Sequence, residues 1–316
     1  MRHAEAFRQN QHRMTAKSKL IEKYPINAFV LLTLFISHVL NPIVVELLHI
    51  LFPGLTFEFR AAQLNERSLI NQYGGTIAAL IVTLRLYGIH GLKSMLSFSR
   101  IRANTLFWLF ISLLLPLFMI LCSYYLAGIS LNTLLNTLKD NWSFYLLIIA
   151  GFMLSAGLAE EFGWRGFLLP QLLKVSKPMT ATFILFVIVS LWHFPALLAG
   201  WKGEPVWPWI VLSFPIAVVH SWLFFKSGGN IIVVAVFHGC FDAQYSFYSH
   251  FIRDNAIPNT PFYQGWTYII LYCLLALAII VITRGTLGFA TSNFDLNRYF
   301  GEMKHRSNTK GVLTMD

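Results

Sequence analysis

Charge is what this sequence has least of. Asp, Glu, Lys and Arg make up 12% of its 316 residues while hydrophobic side chains make up 56%; soluble domains carry about a quarter charged residues. That shortage excludes an ordinary water-soluble domain. Cysteine is also scarce: Cys122, Cys240 and Cys273 all fall in apolar runs, without paired or metal-type spacing, so a disulfide framework and a cysteine-ligated zinc site are both excluded. No His-Glu-x-x-His stretch occurs, no internal repeat or low-complexity tract is visible, and no small-residue cleavage site follows the first apolar run. That run reads as an uncleaved anchor. The excess of 24 basic over 14 acidic residues gives a net charge of +10. It does not indicate nucleic acid, because the basic residues fall where membrane topology puts them.

What is present is a series of long apolar runs, at about 25–51, 68–88, 104–127, 142–173, 179–199, 206–225, 230–250 and 263–283. About 20 residues cross a bilayer as a helix. The pattern therefore predicts an all-α polytopic membrane protein of about eight transmembrane helices, the fourth long enough to tilt or to pass the interface. Residues 1–24 read as a basic tail, 25–283 as the membrane domain and 284–316 as a second tail. With the N-terminus inside, the inner segments hold 17 Lys and Arg and the outer loops five, leaving Arg85 and Arg165 within spans. This bias places both termini in the cytoplasm, and the cell membrane is the expected location in a bacterium. The outer loop 52–67 reads as a connection or an interfacial lid.

Against that background one stretch stands out: Ala159-Glu160-Glu161-Phe162-Gly163-Trp164-Arg165-Gly166. Each ionisable side chain in hydrocarbon costs about 2.5 kcal/mol or more and is a functional candidate by default. Four acids fall within spans: Glu46, Glu160, Glu161 and Asp242. Glu46, near the end of its span, can reach the headgroups. Glu160 lies about 16 residues before the basic turn Lys174–Lys177 and His193 about 17 after it. On antiparallel helices rising ~1.5 Å per residue, the two therefore meet at one depth. His238 and Asp242 are one helical turn apart and share a face. Glu161 and Arg165 have the same spacing in the favourable acid-first order, so they read as a supporting ion pair. Glu160, turned ~100° away, is left as the reactive carboxylate. With His193 it could deprotonate a water, while His238 and Asp242 bind the developing oxyanion. Glu160, His193 and His238 could instead hold a zinc ion with one open position, although nothing in their spacing calls for one. His38 and His220 read as histidines hydrogen-bonded to neighbouring helices.

At these residues the sequence resembles the CPBP family of intramembrane proteases, which includes type II CAAX prenyl proteases and bacteriocin-processing or immunity proteins. Glu160-Glu161-Phe162-Gly163-Trp164-Arg165 is similar to the family's Glu-Glu-xxx-Arg. Ser190-Leu191-Trp192-His193-Phe194-Pro195 supplies the next span's histidine, and His238-Gly239-Cys240-Phe241-Asp242 supplies its His-xxx-Asn/Asp. The resemblance covers about 140–250. It implies hydrolysis of a peptide bond in a membrane-associated peptide or lipidated-protein substrate, by water activated at Glu160 and His193, with membrane lipid as surroundings; that route requires no cofactor, while a divalent metal such as zinc is the alternative the resemblance leaves open. Val189 stands where many relatives have Phe, and Asp242 where Asn is common. A non-catalytic member of the same fold, acting as a binding, regulatory or immunity protein, is the alternative. A proton-coupled transporter is a further one, disfavoured because the polar residues form a patch instead of a path.

Overall fold

The computed structural model describes residues 21–52, 69–101, 103–198, 207–253, 261–292, 294–296 and 299. The basic stretch 1–20, the loop 53–68 and residues 301–316 lie outside that set. No strand occurs among the described residues. Seven helices are long and apolar enough to cross a membrane: α1 Pro25–Leu51, α2 Gly74–Ser97, α3 Asn104–Leu126, α5 Trp142–Leu173, α6 Pro178–Leu198, α7 Trp207–Lys226 and α8 Ile231–Phe251. Between α3 and α5 lies the short α4, Leu131–Asp140, whose N-cap Ser130 accepts the Thr133 N–H. After α8 comes α9, Pro261–Ile282, whose described apolar part, Trp266–Ile282, is shorter than the other seven. The expected all-α, multi-pass architecture is therefore observed.

One expected boundary moves. The segment 89–103 reads from sequence as a loop, but α2 continues to Ser97. Gly88 breaks the ladder, with φ 63° and ψ −164°, a conformation open to glycine because it has no Cβ. The helix resumes because Gly91, Ser94 and Met95 bury a common face. The kink, not the helix end, coincides with the predicted boundary.

Burial is uneven along the bundle. On the first half of α5, Leu146, Leu147 and Leu154 are exposed toward the surrounding apolar phase, whereas from Ala159 to Leu173 nearly every residue is buried. The long helix thus begins at the periphery and ends in the centre. It meets α8, the most enclosed of the spans. Two close approaches fix that path. A Cβ at Gly157 would stand 2.2 Å from the Ala235 carbonyl oxygen of α8, and one at Gly163 would stand 2.6 Å from the Gly75 backbone of α2. Small residues let helix backbones touch where hydrocarbon surroundings supply no hydrophobic drive for association.

The α7–α8 turn is equally constrained. Gly228 and Gly229 take φ of 74° and 82°, and Asn230 caps α8 by accepting the Ile232 and Val233 N–H groups while donating to the Arg100 carbonyl. The residues after α9 fold back onto this end, burying Leu287, Phe294 and Tyr299. The Tyr299 hydroxyl donates to the Gly166 carbonyl of α5. The start of the expected C-terminal tail is therefore part of the packed body.

Candidate active site

The Glu-Glu segment sits between two π-helical turns. Met153–Leu158 and Trp164–Leu168 each adopt π geometry, and Ala159–Gly163 between them is α-helical. Each inserted residue advances the helix phase, and such bulges cluster at functional sites. Adjacent within the α-helical turn, Glu160 and Glu161 still point ~100° apart, so enclosing both takes packing on two sides of the helix. Here both are enclosed, at 5% and 0% exposure. The Ala159 carbonyl accepts the Thr76 hydroxyl of α2 at 2.6 Å, which pins the segment from a third helix.

Glu161 is the hub. Arg165 Nη1 donates to both of its carboxylate oxygens, at 2.8 and 3.1 Å, so the expected ion pair forms inside the bundle. His238 Nδ1 lies 2.7 Å from Glu161 Oε1, a bond from α8 to α5 that spacing along the sequence does not reveal. A carboxylate beside a guanidinium accepts, so Nδ1 donates and Nε2 is left for another partner. That Nε2 stands 3.7 Å from Asp242 Oδ2, with both side chains partly exposed. The one-turn spacing thus does put His238 and Asp242 on a shared face.

Glu160 has a donor of its own that the sequence reading missed: Trp164 Nε1, 3.2 Å from its Oε2. The signal was present in the i, i+4 spacing. The groups within electrostatic reach of Glu160 are His238, His193, Glu161 and Asp242. His193, on α6, is buried and held edge-to-face between Trp192 and Trp209, with ring centroids at 4.6 and 4.9 Å. All six residues singled out from sequence therefore lie in one region, drawn from α5, α6 and α8.

The two remaining intramembrane histidines part company. His38 Nε2 contacts the Trp192 carbonyl at 2.9 Å, a structural bond next to His193. His220, at 2% exposure, has Nε2 only 3.8 Å from Glu161 Oε1 and packs edge-to-face on His238 at 5.1 Å. It belongs to the cluster. A lone histidine in an apolar run carries no signal that would have placed it there.

The donor set that converges tightly is also not the one expected for zinc. The ligand atoms of Glu161, His220 and His238 lie within 4.8 Å of one another. These residues are already committed to one another: Glu161 Oε1 accepts from Arg165 Nη1 at 2.8 Å and from His238 Nδ1 at 2.7 Å, so the lone pairs a divalent cation would take are occupied by hydrogen bonds.

The fold and the cluster together define a class: a multi-pass helical membrane protein with carboxylates, histidines and an arginine gathered at its centre. Comparison with known proteins narrows it. Residues 141–244 match the family model described as type II CAAX prenyl endopeptidase, Rce1-like, an interval that contains every candidate residue. A curated relative, CAAX prenyl protease 2 of Methanococcus maripaludis, is 25% identical over 95 residues. That match covers 27% of this chain and 35% of the relative, so the chain spans about a third of the length of the curated protein it matches. The resemblance seen in the motifs is thereby supported.

Proposed function

We propose that this protein is an intramembrane endopeptidase of the CAAX type, cleaving a peptide bond in a membrane-associated peptide or lipidated-protein substrate. The observation that carries the reading is the 2.7 Å bond between Glu161 and His238. It couples the Glu-Glu segment to the histidine of the seventh span, and both His238 and His193 interact electrostatically with Glu160. Glu160 and His193 take a proton from water, which attacks the carbonyl carbon. The tetrahedral oxyanion forms beside His238 Nε2, whose ring is held by Glu161 through Nδ1. A neutral Nδ1–H imidazole has no proton on Nε2, so donation to the oxyanion uses the imidazolium form. Asp242, whose Oδ2 stands 3.7 Å from Nε2, binds the same oxyanion as a donor in its protonated form. The proton held by Glu160 then passes to the leaving amine, and the C–N bond breaks.

Arg165 neutralises Glu161, so Glu160 is the carboxylate free for proton transfer. Trp164 orients it through its indole N–H. No metal is needed for these steps, and both termini face the cytoplasm, following the lysine and arginine bias.

The test is cleavage by detergent-purified protein of a quenched, farnesylated CAAX peptide beside a pool of unmodified hydrophobic peptides, with and without chelator. Wild-type protein should cleave at least one class, chelator should leave the rate unchanged, and Glu160→Gln should lower it by about 10²- to 10⁴-fold at unchanged melting temperature. A fully active Glu160→Gln variant would overturn the assignment.

A further inference from the structure

We propose that the second arm of α2, residues 89–97 with Arg100 just beyond it, is a lipid-surface element that lies in the headgroup layer and binds anionic phospholipid through Lys93 and Arg100. The arm does not prolong its span. In a straight helix residues 83 and 91 would stand ~12 Å apart along the axis. Here a Cβ on Gly91 would meet Thr83 Cγ2 at 3.1 Å and Tyr87 Cβ at 2.5 Å, so after the Gly88 break the chain turns back across the end of the span. Its inner face is packed: Gly91, Ser94 and Met95 are buried, and the Phe98 ring that follows lies 4.7 Å from that of Tyr299. The Arg100 carbonyl, which accepts from Asn230 of α8, ties down the far end. The outer face is left open. Ile89, Lys93 and Leu96 succeed one another there at helical spacing, all exposed, and exposed Arg100 and Ile101 come next.

Apolar and long basic side chains in alternation fit one environment. In bulk water Ile89 and Leu96, about half exposed at 53% and 52%, would lose their burial; in hydrocarbon the two cations would be stranded. At the boundary the apolar groups enter the acyl region while Lys93 and Arg100 reach outward along their flexible stems to the headgroups. Charge selects the partner. No acidic residue occurs between Glu66 and Asp140, so neither α2 nor α3 offers these cations a counter-charge. Among the described residues neither side chain forms an ion pair. The chain's own ends do not supply the complement either: residues 1–20 hold five Lys and Arg against one Glu, and residues 301–316 hold three against two acids. A lipid phosphate does. A basic side chain at an anionic membrane surface strengthens attachment about fivefold, so the pair contributes about 25-fold.

The test is the melting temperature of the full chain in neutral detergent micelles, titrated separately with phosphatidylglycerol, phosphatidylcholine and inorganic phosphate. A ligand that binds the folded state raises it. Phosphatidylglycerol should do so, and the other two should not. The double variant Lys93→Gln, Arg100→Gln alters only exposed side chains, so it should melt as wild type without lipid and need about 25-fold more phosphatidylglycerol for the same rise. Lys139→Gln, an exposed charge removed from α4, should titrate as wild type. An unaltered titration in the double variant, or an equal rise with phosphatidylcholine, would overturn the proposal. A rise with phosphate alone would also do so, by marking a site for a soluble anion instead of a lipid surface. A second readout locates the arm directly: a nitroxide on Leu96→Cys, in a Cys122→Ser, Cys273→Ser background, in phosphatidylglycerol-containing vesicles. Its collision rates with oxygen and with a water-soluble nickel complex should place it at the depth of the phosphates. A label in the hydrocarbon centre or in bulk water would refute the placement. Neither readout uses peptide cleavage, so both outcomes are independent of the hydrolase reading.

Discussion

Removing Arg165 is the sharpest test of how this site is held together. In Arg165→Met the side-chain volume is broadly kept, and Glu161, fully buried, loses donors at 2.8 and 3.1 Å. Hydrogen bonds to charged groups contribute about 1.5–3 kcal/mol each, and breaking one side of a buried pair costs about 3–5 kcal/mol because the other charge is stranded. His238 still donates at 2.7 Å, which keeps the loss near the lower end, about 3 kcal/mol. At ~2–4 °C per kcal/mol for a chain of this order of size, the melting temperature should drop by about 6–12 °C. Intramembrane hydrogen bonds between neutral groups average only ~0.6 kcal/mol, which would move it by about 2 °C. The measurement therefore distinguishes a charge-held centre from an ordinary polar contact. Cys240 is a suitable reporter, being free and fully buried on α8. In a Cys122→Ser, Cys273→Ser background, a thiol-reactive dye reads its exposure on heating. The double variant Glu161→Gln, Arg165→Met removes both charges and should recover more than half of the loss. A small shift in Arg165→Met, or no recovery in the double variant, would refute the stranded-charge account.

Other substitutions separate chemistry from packing. Trp164→Phe keeps the edge-to-face contacts with Phe29 and Trp192 but removes the donor to Glu160, so peptide cleavage should fall about tenfold or more with melting shifted by only a few degrees. Gly157→Val sets a side chain against the Ala235 backbone; overpacking of about 1–3 kcal/mol or more should lower both the melting temperature and the folded yield on gel filtration. Tyr299→Phe loses the bond to the Gly166 carbonyl at a cost of about 1 kcal/mol, measurable in the same thiol assay. If it left stability and activity untouched, the folded-back segment would be a cover with no hold on α5.

The division between sequence and tertiary structure follows from the range of the forces involved. Where the chain enters and leaves the apolar phase is a local matter of twenty-residue hydropathy, and the runs of the sequence correspond to α1, α3 and α5–α9 within a few residues. The Glu161–Arg165 pair was legible for the same reason, since helical spacing alone brings those groups together. The depth match of Glu160 and His193 needed only one hairpin. Three features were out of reach. Hydropathy falls at Gly88, where the second apolar run ends, although a kinked helix continues to Ser97. The π-helical turns flanking Ala159–Gly163 shift the phase of α5, and they depend on backbone contacts with α8 and α2. The pairing of His238 with Glu161, and the arrival of His220 beside them, depend on how α7 and α8 rotate against α5. Composition thus determined that carboxylates would be buried in a membrane bundle. Only side-chain packing among distant helices decided which histidine each would meet, because rotation about a helix axis leaves hydropathy unchanged and alters every polar contact.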